Sequence, residues 1–456
     1  MNTVTGVPEG FLCRRGSLVM VVLALLVLAH PGYPAPVILK AGVAKIDITP
    51  TKPVTMGGYV LRVGPSHGVY APIFTRALVF DDGLQKVALI ESDVVDYHNH
   101  DEVRRRLAEA TGIPVPGIML AATHNHSAPY PASTEADREW EKEFEDKIVL
   151  VVKTAIANLQ PVKLGGNIGH SRIAMNRRKN INAAYSFVTF DENYFSQSYG
   201  KSKTDHPVQI REIEGVMRLG SNPEGPIDED VGIMRIDNMS GKPVGVFVNY
   251  ACHGTSLGGR NNTISPEWMG HMLEYLEKEM PGVVGIFANG AAGDINPRFV
   301  GGLEGYKENL DNTRMLGYEI GKEVVNVTKA TATANPVNPG IKLVSQDLLL
   351  PRNYRELPAD FTNTTVSLPT TIVNIEDFTW VTLPVELFHE IGKRIKASAH
   401  SKFAFIVTYC NGELGYLPTQ KAYSEGGYEP ADSHFDPISE QVLIKEITRL
   451  LAPMGR

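Results

Sequence analysis

Cysteine is scarce in this chain, 3 in 456 residues, which excludes a disulfide framework as the source of its stability. Cys13 falls in a stretch expected to be removed, so Cys252 and Cys410 remain. Both sit at the ends of strand-like runs and read as small buried thiols, with a single bridge between them as the alternative. Basic charge is not in excess either. The formal net charge is −7, and without a basic footprint a nucleic-acid partner is excluded. Long apolar runs are missing too: the stretch 18–29 is short for a membrane span. It follows Arg14 and Arg15 and leads into small residues, the layout of a secretory signal peptide. Residues 1–35 are therefore expected to be cleaved from a secreted or periplasmic protein, an uncleaved N-terminal membrane anchor being the other reading. There is no internal repeat and no Pro/Ser-rich linker. With 43% hydrophobic and 21% charged residues, the remainder, 36–456, is expected to form a single large mixed-sheet α/β domain.

From Ala41 onward strand-like and helix-like segments alternate. Residues 43–49 alternate in polarity and stop at Pro50, as a strand does. Residues 77–80 and 87–90 flank Asp82-Gly83, a hairpin signal. Stretches 101–110 and 137–159 have helical patterning, the second with acidic residues at its N-terminal end, where the helix dipole favours them. Residues 180–226 break the pattern. They are polar, aromatic-rich and irregular, and are expected to form a lid or binding loop.

The apolar run Ile118-Met119-Leu120 leads into Thr123-His124-Asn125-His126-Ser127. Histidines two apart on extended backbone project to the same side. Both imidazoles should then meet at a strand exit, where open α/β sheets place their chemistry. Four more apolar runs end in polar or glycine-rich turns: 246–251 before His253, 283–287 before Asp294 and Asn296, 378–383 before Glu386, and 403–407 before Glu413 and Tyr416. Asp and Asn also form ordinary turns, so each exit alone reads as structural. Two histidines and a carboxylate with an open position, however, make the usual catalytic zinc set. Such a zinc acidifies water and polarises a carbonyl. A metal site at the C-terminal ends of the strands is expected. The other histidines read as structural: His98 and His100 flank a probable turn, His271 and His389 lie on helix-like segments, and His30, His170, His206, His400 and His434 lack partners in sequence.

Taken together and in order, these motifs resemble the N-terminal catalytic domain of the neutral/alkaline non-lysosomal ceramidases. The resemblance starts at Ala41-Gly42-Val43-Ala44-Lys45-Ile46-Asp47-Ile48-Thr49-Pro50. It takes in the Thr123-His124-Asn125-His126-Ser127 motif, the strand before His253, and Leu383-Pro384-Val385-Glu386, and it ends with the block from Tyr416 to Tyr428. It implies one zinc ion per chain, bound by His124, His253, Glu386 and Tyr416. It also implies His126 as a proton carrier, and Tyr428 and Arg177 (or the neighbouring Arg178) as catalytic groups at the substrate amide and its oxyanion. Asp294, Asn296 and Tyr423 are implied as substrate-binding residues.

The implied activity is zinc-dependent hydrolysis of an N-acyl amide, N-acylsphingosine or a related lipid, with peripheral membrane contact. Two departures stand out. Where the family has a serine in a Gly-Asp-x-Ser-Pro turn, this chain has Asn296, which cannot act as a hydroxyl nucleophile. Activated water is then implied rather than an acyl-serine. The family's C-terminal immunoglobulin-like domain is not expected, because the resemblance closes near the helix-like stretch 440–451. The alternatives are a metallohydrolase of another substrate class, such as a phosphoesterase with Asp93 and Asp294 holding two metals, and a non-catalytic metal-containing binding protein.

Overall fold

The computed structural model describes residues 38–60, 62–130, 134–181, 216–302, 310–353 and 364–454. The signal or anchor reading of residues 1–35 lies outside these, and so does most of the expected lid, 182–215. The chain forms strands β1 (Lys40–Asp47), β2 (Phe74–Asp81), β3 (Lys86–Ser92), β4 (Ile118–Ala122), β5 (Gln160–His170) and β6 (Ala174–Ile181). It continues with β7 (Val216–Asn222), β8 (Asp230–Asn238), β9 (Pro243–Tyr250), β10 (Val284–Asn289) and β11 (Ile295–Pro297). Eight of them make one sheet in the order β10-β9-β8-β5-β1-β2-β3-β4. The β3–β4 and β9–β10 pairs are parallel, whereas β1–β2, β2–β3 and β8–β9 are antiparallel, so the sheet is mixed as expected.

Alternation along β2 builds its two faces: Ala77 and Val79 join one apolar cluster, Leu78 and Phe80 another. Helices α1 (His100–Thr111) and α2 (Glu135–Ala157) cover the first face through Leu107, Trp140, Phe144 and Ile148. A reciprocal capping box fixes the start of α2, Thr134 accepting from the Asp137 N–H and Asp137 returning the bond. Helices α3 (Glu267–Glu279) and α4 (Leu310–Ala330) cover β8–β10 through Trp268, Leu273, Leu316 and Val324.

Strands β1 and β5 pair only at Lys40↔Pro161 and Ala41↔Gln160. At this narrow junction the sheet curls, and its two edge strands, β4 and β10, pack against each other. A second sheet closes the interior, formed by β12 (Ile341–Pro351), β13 (Thr365–Ile375), β14 (Phe378–Thr382) and, beyond the two-residue β15 (Glu386–Leu387), β16 (Phe403–Val407). Phe80, Phe247, Trp380 and Phe405 meet there, with Phe247 centred 5.8 Å from Trp380 and 5.0 Å from Phe405. The outer face of the second sheet carries α5 (His389–Ser398) and the helix Ser439–Leu451 through Ile391, Ile395, Leu443 and Ile447.

A short stretch after β16 stitches both edges of the large sheet. Thr408 N donates to Asn289 O (3.0 Å) at the end of β10, while Ala122 N donates to Tyr409 O (3.1 Å) and Asn411 N to Leu120 O (2.8 Å) along β4. Leu120 N in turn donates to Asn411 Oδ1 at 2.9 Å.

Two expectations need correction. Within the 180–226 segment the described residues 180–181 and 216–222 are strand rather than loop: β6 and β7 pair with one another, and β11 completes a three-stranded sheet. Their pairing supplies the backbone hydrogen bonds that a loop reading leaves open. Cys252 and Cys410 are both free and buried, so the alternative of a bridge does not hold. Among the described residues no helix is long and apolar enough to cross a membrane.

Candidate metal centre

The exits of β4 and β9, together with β15, converge. His124 follows β4 with φ 59°, in the left-handed region. The chain therefore turns at this point instead of running extended, and it is the turn that brings the His124 and His126 rings to 4.7 Å between centroids. His253, after β9, lies with its ring 4.9 Å from that of His124. All three histidines are buried, and one ligand-capable atom from each lies within 4.8 Å of the others. Gly58 (φ +91°) packs directly on the His126 ring, where a Cβ would come within 2.4 Å. Gly293 likewise lets the chain pass Glu386, since a Cβ there would lie 2.4 Å from the Glu386 carbonyl oxygen.

The hydrogen bonds at the back of the rings set their tautomers. His124 Nδ1 lies 3.0 Å from Val95 O, and His253 Nδ1 lies 2.8 Å from Ala292 O and 3.0 Å from Ile295 O. Carbonyls only accept, so each Nδ1 carries the proton and each Nε2 presents a lone pair. Glu386 Oε2 lies 2.9 Å from His253 Nε2 and 3.5 Å from His124 Nε2. Three acceptors thus crowd one point, and His124 Nε2 has no hydrogen-bond partner there. Imidazole with carboxylate is a transition-metal donor set. The residues fit a metal ion.

Burial opposes the charge on His124, but Glu386 outweighs it and raises the imidazole above its ordinary 6.5, so a metal would displace a proton held between the two. Burial opposes the charge on Glu386, but His124 and His253 outweigh it and hold the carboxyl well below its usual range. Burial, then Arg177, pushes His253 down to about 4. Burial, then His124 and His253, holds His126 well below its ordinary value, and both of its ring nitrogens lack partners. His253 and His126 are thus both held as neutral imidazoles, and His126 is the one with neither ring nitrogen engaged.

Around this cluster stand most of the residues singled out in the sequence. Tyr416 begins β17 (Tyr416–Leu417), paired in parallel with β15 so that it lies beside Glu386. Its ring is 5.4 Å from that of Tyr428, which is 47% exposed at the rim. Arg177 on β6 reaches inward: Nε donates to Glu429 Oε1 (2.9 Å), while Nη1 lies 3.1 Å from His253 Nε2 and 3.4 Å from Asn296 Oδ1. Its Nη2 is buried without a partner. Arg178 points elsewhere, to Glu429, Glu425 and the Gly426 carbonyl. Asn296 joins the group, its Oδ1 also 3.4 Å from Thr255 Oγ1.

Three expected residues are engaged elsewhere. Asp294 accepts from His389 through both carboxylate oxygens, from N at 3.0 Å and Nδ1 at 2.7 Å, so a ligand would have to displace that pair. Tyr423 OH is tied to Ser433 Oγ (2.8 Å) and Phe435 O (2.6 Å). Asp93 lies in a buried trio with Arg76 and Glu91. The two-metal reading therefore loses both of its extra carboxylates. The sequence reading also missed Tyr409. Its ring stacks flat on His124 at 3.9 Å and its OH donates to Glu386 Oε2 at 3.4 Å. Its position just past β16, among the strand exits, was the available signal.

A family model described as neutral/alkaline non-lysosomal ceramidase, N-terminal, matches residues 39–316. The neutral ceramidase of Pseudomonas aeruginosa is 26% identical over 314 residues, 64% of this chain and 42% of that protein. The neutral ceramidase of Drosophila melanogaster is 25% identical over 292 residues, 58% and 36% of the respective chains. The matches thus span less than half the length of these relatives. The crystal structure of the Pseudomonas aeruginosa neutral ceramidase superposes with a TM-score of 0.68 at 18% identity, covering 92% of this chain and 75% of that one. This is a likeness of fold.

Proposed function

The chain belongs to the neutral/alkaline non-lysosomal ceramidase family, and from that premise we propose that it hydrolyses the N-acyl amide bond of a ceramide-like lipid at a zinc site. The observation that carries the reading is the crowding of His124 Nε2, His253 Nε2 and Glu386 Oε2 about one point. These three residues, with Tyr416, would hold the metal. Zinc so bound supplies Lewis acidity, acidifying a water and polarising a carbonyl.

The remaining steps fall to the chain's own groups. His126, neutral and with both ring nitrogens free, accepts the proton released from water and passes it to the leaving amine. Partial burial, with Asp432 and Glu386 nearby, raises the half-exposed Tyr428 phenol, so it keeps its proton and can donate to an oxyanion. The unpartnered Nη2 of Arg177 is a second donor. Asn296 contacts substrate without forming a covalent intermediate.

A lipid substrate agrees with the loop over His126. Arg62 Nη2 donates to His126 O at 2.7 Å, fixing the loop to the site, while Val60 and Val63 stand 88% and 86% exposed, available to a lipid surface. The test is hydrolysis of a fluorescent N-acylsphingosine by the purified chain and by His124→Ala. Turnover by the first and its loss in the second is expected. A wild-type chain that binds zinc and leaves this substrate intact would rule out the ceramide reading.

A further inference from the structure

Behind the cluster, one buried carboxylate touches both histidine loops. Glu267 opens α3 and is 0% exposed. Its Oε1 accepts from Ser127 Oγ at 3.0 Å and from Leu257 N at 3.2 Å. Its Oε2 accepts from Ser256 N at 3.0 Å and, more closely, from Ser256 Oγ. Ser127 follows His126 directly, and Ser256 and Leu257 lie three and four residues after His253.

Glu267 holds this position with φ 53°, a backbone conformation that an unbranched, non-glycine side chain rarely takes. Its own N–H is satisfied by Ser265 Oγ at 3.1 Å. The next residue adds to the tie, Trp268 Nε1 donating to His253 O at 2.8 Å. The two loops also meet directly, where His126 N donates to Gly254 O at 2.9 Å. Glu267 is the side-chain brace behind that backbone contact. Only a carboxylate suits the place, because both oxygens must accept and neither may donate. A glutamine would turn an NH2 group against either the Ser127–Leu257 donors or the Ser256 donors.

We propose that Glu267 is a positioning residue that fixes the spacing of the His126 and His253 loops, and through it the affinity of the cluster for a divalent metal. The proposal rests on the reading of that cluster as a metal site. Glu267 touches none of the three imidazoles. It acts through Ser127 and Ser256.

Zinc is titrated into the metal-stripped full chain against a chromophoric chelator, for wild type, Glu267→Gln, Ser127→Ala and the double variant. Thermal unfolding of the metal-free forms is followed in parallel. Wild type is expected to take up one zinc, and Glu267→Gln to bind it at least about 10-fold more weakly, the lower end of the range for groups that orient ligands. Adding Ser127→Ala to Glu267→Gln is expected to weaken binding no further, because the serine acts through the glutamate. A Glu267→Gln protein that unfolds earlier but binds zinc as tightly as wild type overturns the proposal and leaves the metal reading standing. Wild type that binds no zinc removes both. If Glu267→Gln does not fold, Ser127→Ala decides: unchanged affinity overturns the proposal and weaker binding supports it.

Discussion

At the scale of single residues, the His389–Asp294 pair offers a measurement independent of catalysis. Burial opposes the charge of Asp294, but His389 more than offsets it and holds the carboxyl below its ordinary 3.8. Burial likewise opposes the His389 imidazolium, and Asp294 raises it above its ordinary 6.5. The carboxylate's contribution is present above 3.8 and lost as pH falls through the lower folded value. That of the imidazolium is complete below 6.5 and lost as pH rises through the higher folded value. His389→Leu leaves a buried carboxylate unpaired and should cost about 3–5 kcal/mol near pH 5, with the gap to wild type narrowing by about pH 9. Urea unfolding at the two pH values reads both. The pair also marks how far single residues were legible. His124, His253 and Glu386 stood out because each ends an apolar run. Asp294 looked the same in sequence, since a carboxylate after a strand can meet a ligand or a histidine. Tyr409 and Glu267 were hidden because their roles depend on left-handed backbone and on contacts distant in sequence.

At the scale of elements, buried strands were readable as apolar runs, but the sheet each belongs to was not. Residues 246–251 and 403–407 have similar composition and fall in different sheets. Nothing local separates them, because partner choice depends on which strands curl back over which. The interior where the two sheets meet should therefore be the most sensitive packing site. Phe247 on β9 is fully buried between Trp380 and Phe405. Phe247→Ala is expected to cost about 3–5 kcal/mol, the usual range for a large buried aromatic. Chemical denaturation checks it. A loss below about 1 kcal/mol would mean that the sheets repack around the gap.

At the scale of the molecule, the candidate ligands follow β4 at one edge of the curled sheet and β9, next to the other edge, and stand on β15, so a bound ion would tie together segments far apart in the chain. Metal removal should then lower the unfolding temperature. A site filled at about 100 times its Kd adds roughly 2.7 kcal/mol. His253→Ala should start from the lower temperature and show no response to chelator in differential scanning calorimetry. Global likeness was legible from the order of the motifs, although the family match ends at residue 316, before Glu386 and Tyr416. The stretch 408–411 has a further consequence, in biogenesis. It closes both sheet edges, and its bond from Leu120 to Asn411 spans 291 residues. Chains emerge from the ribosome N-terminus first, at about 5–20 residues per second. The β4 edge therefore stays unsealed for tens of seconds, joined later by the β10 edge, and such edges are the surfaces on which unfinished β proteins aggregate. Chains truncated before residue 411 should therefore aggregate more readily than the full chain, because that stretch is what seals both edges of the large sheet.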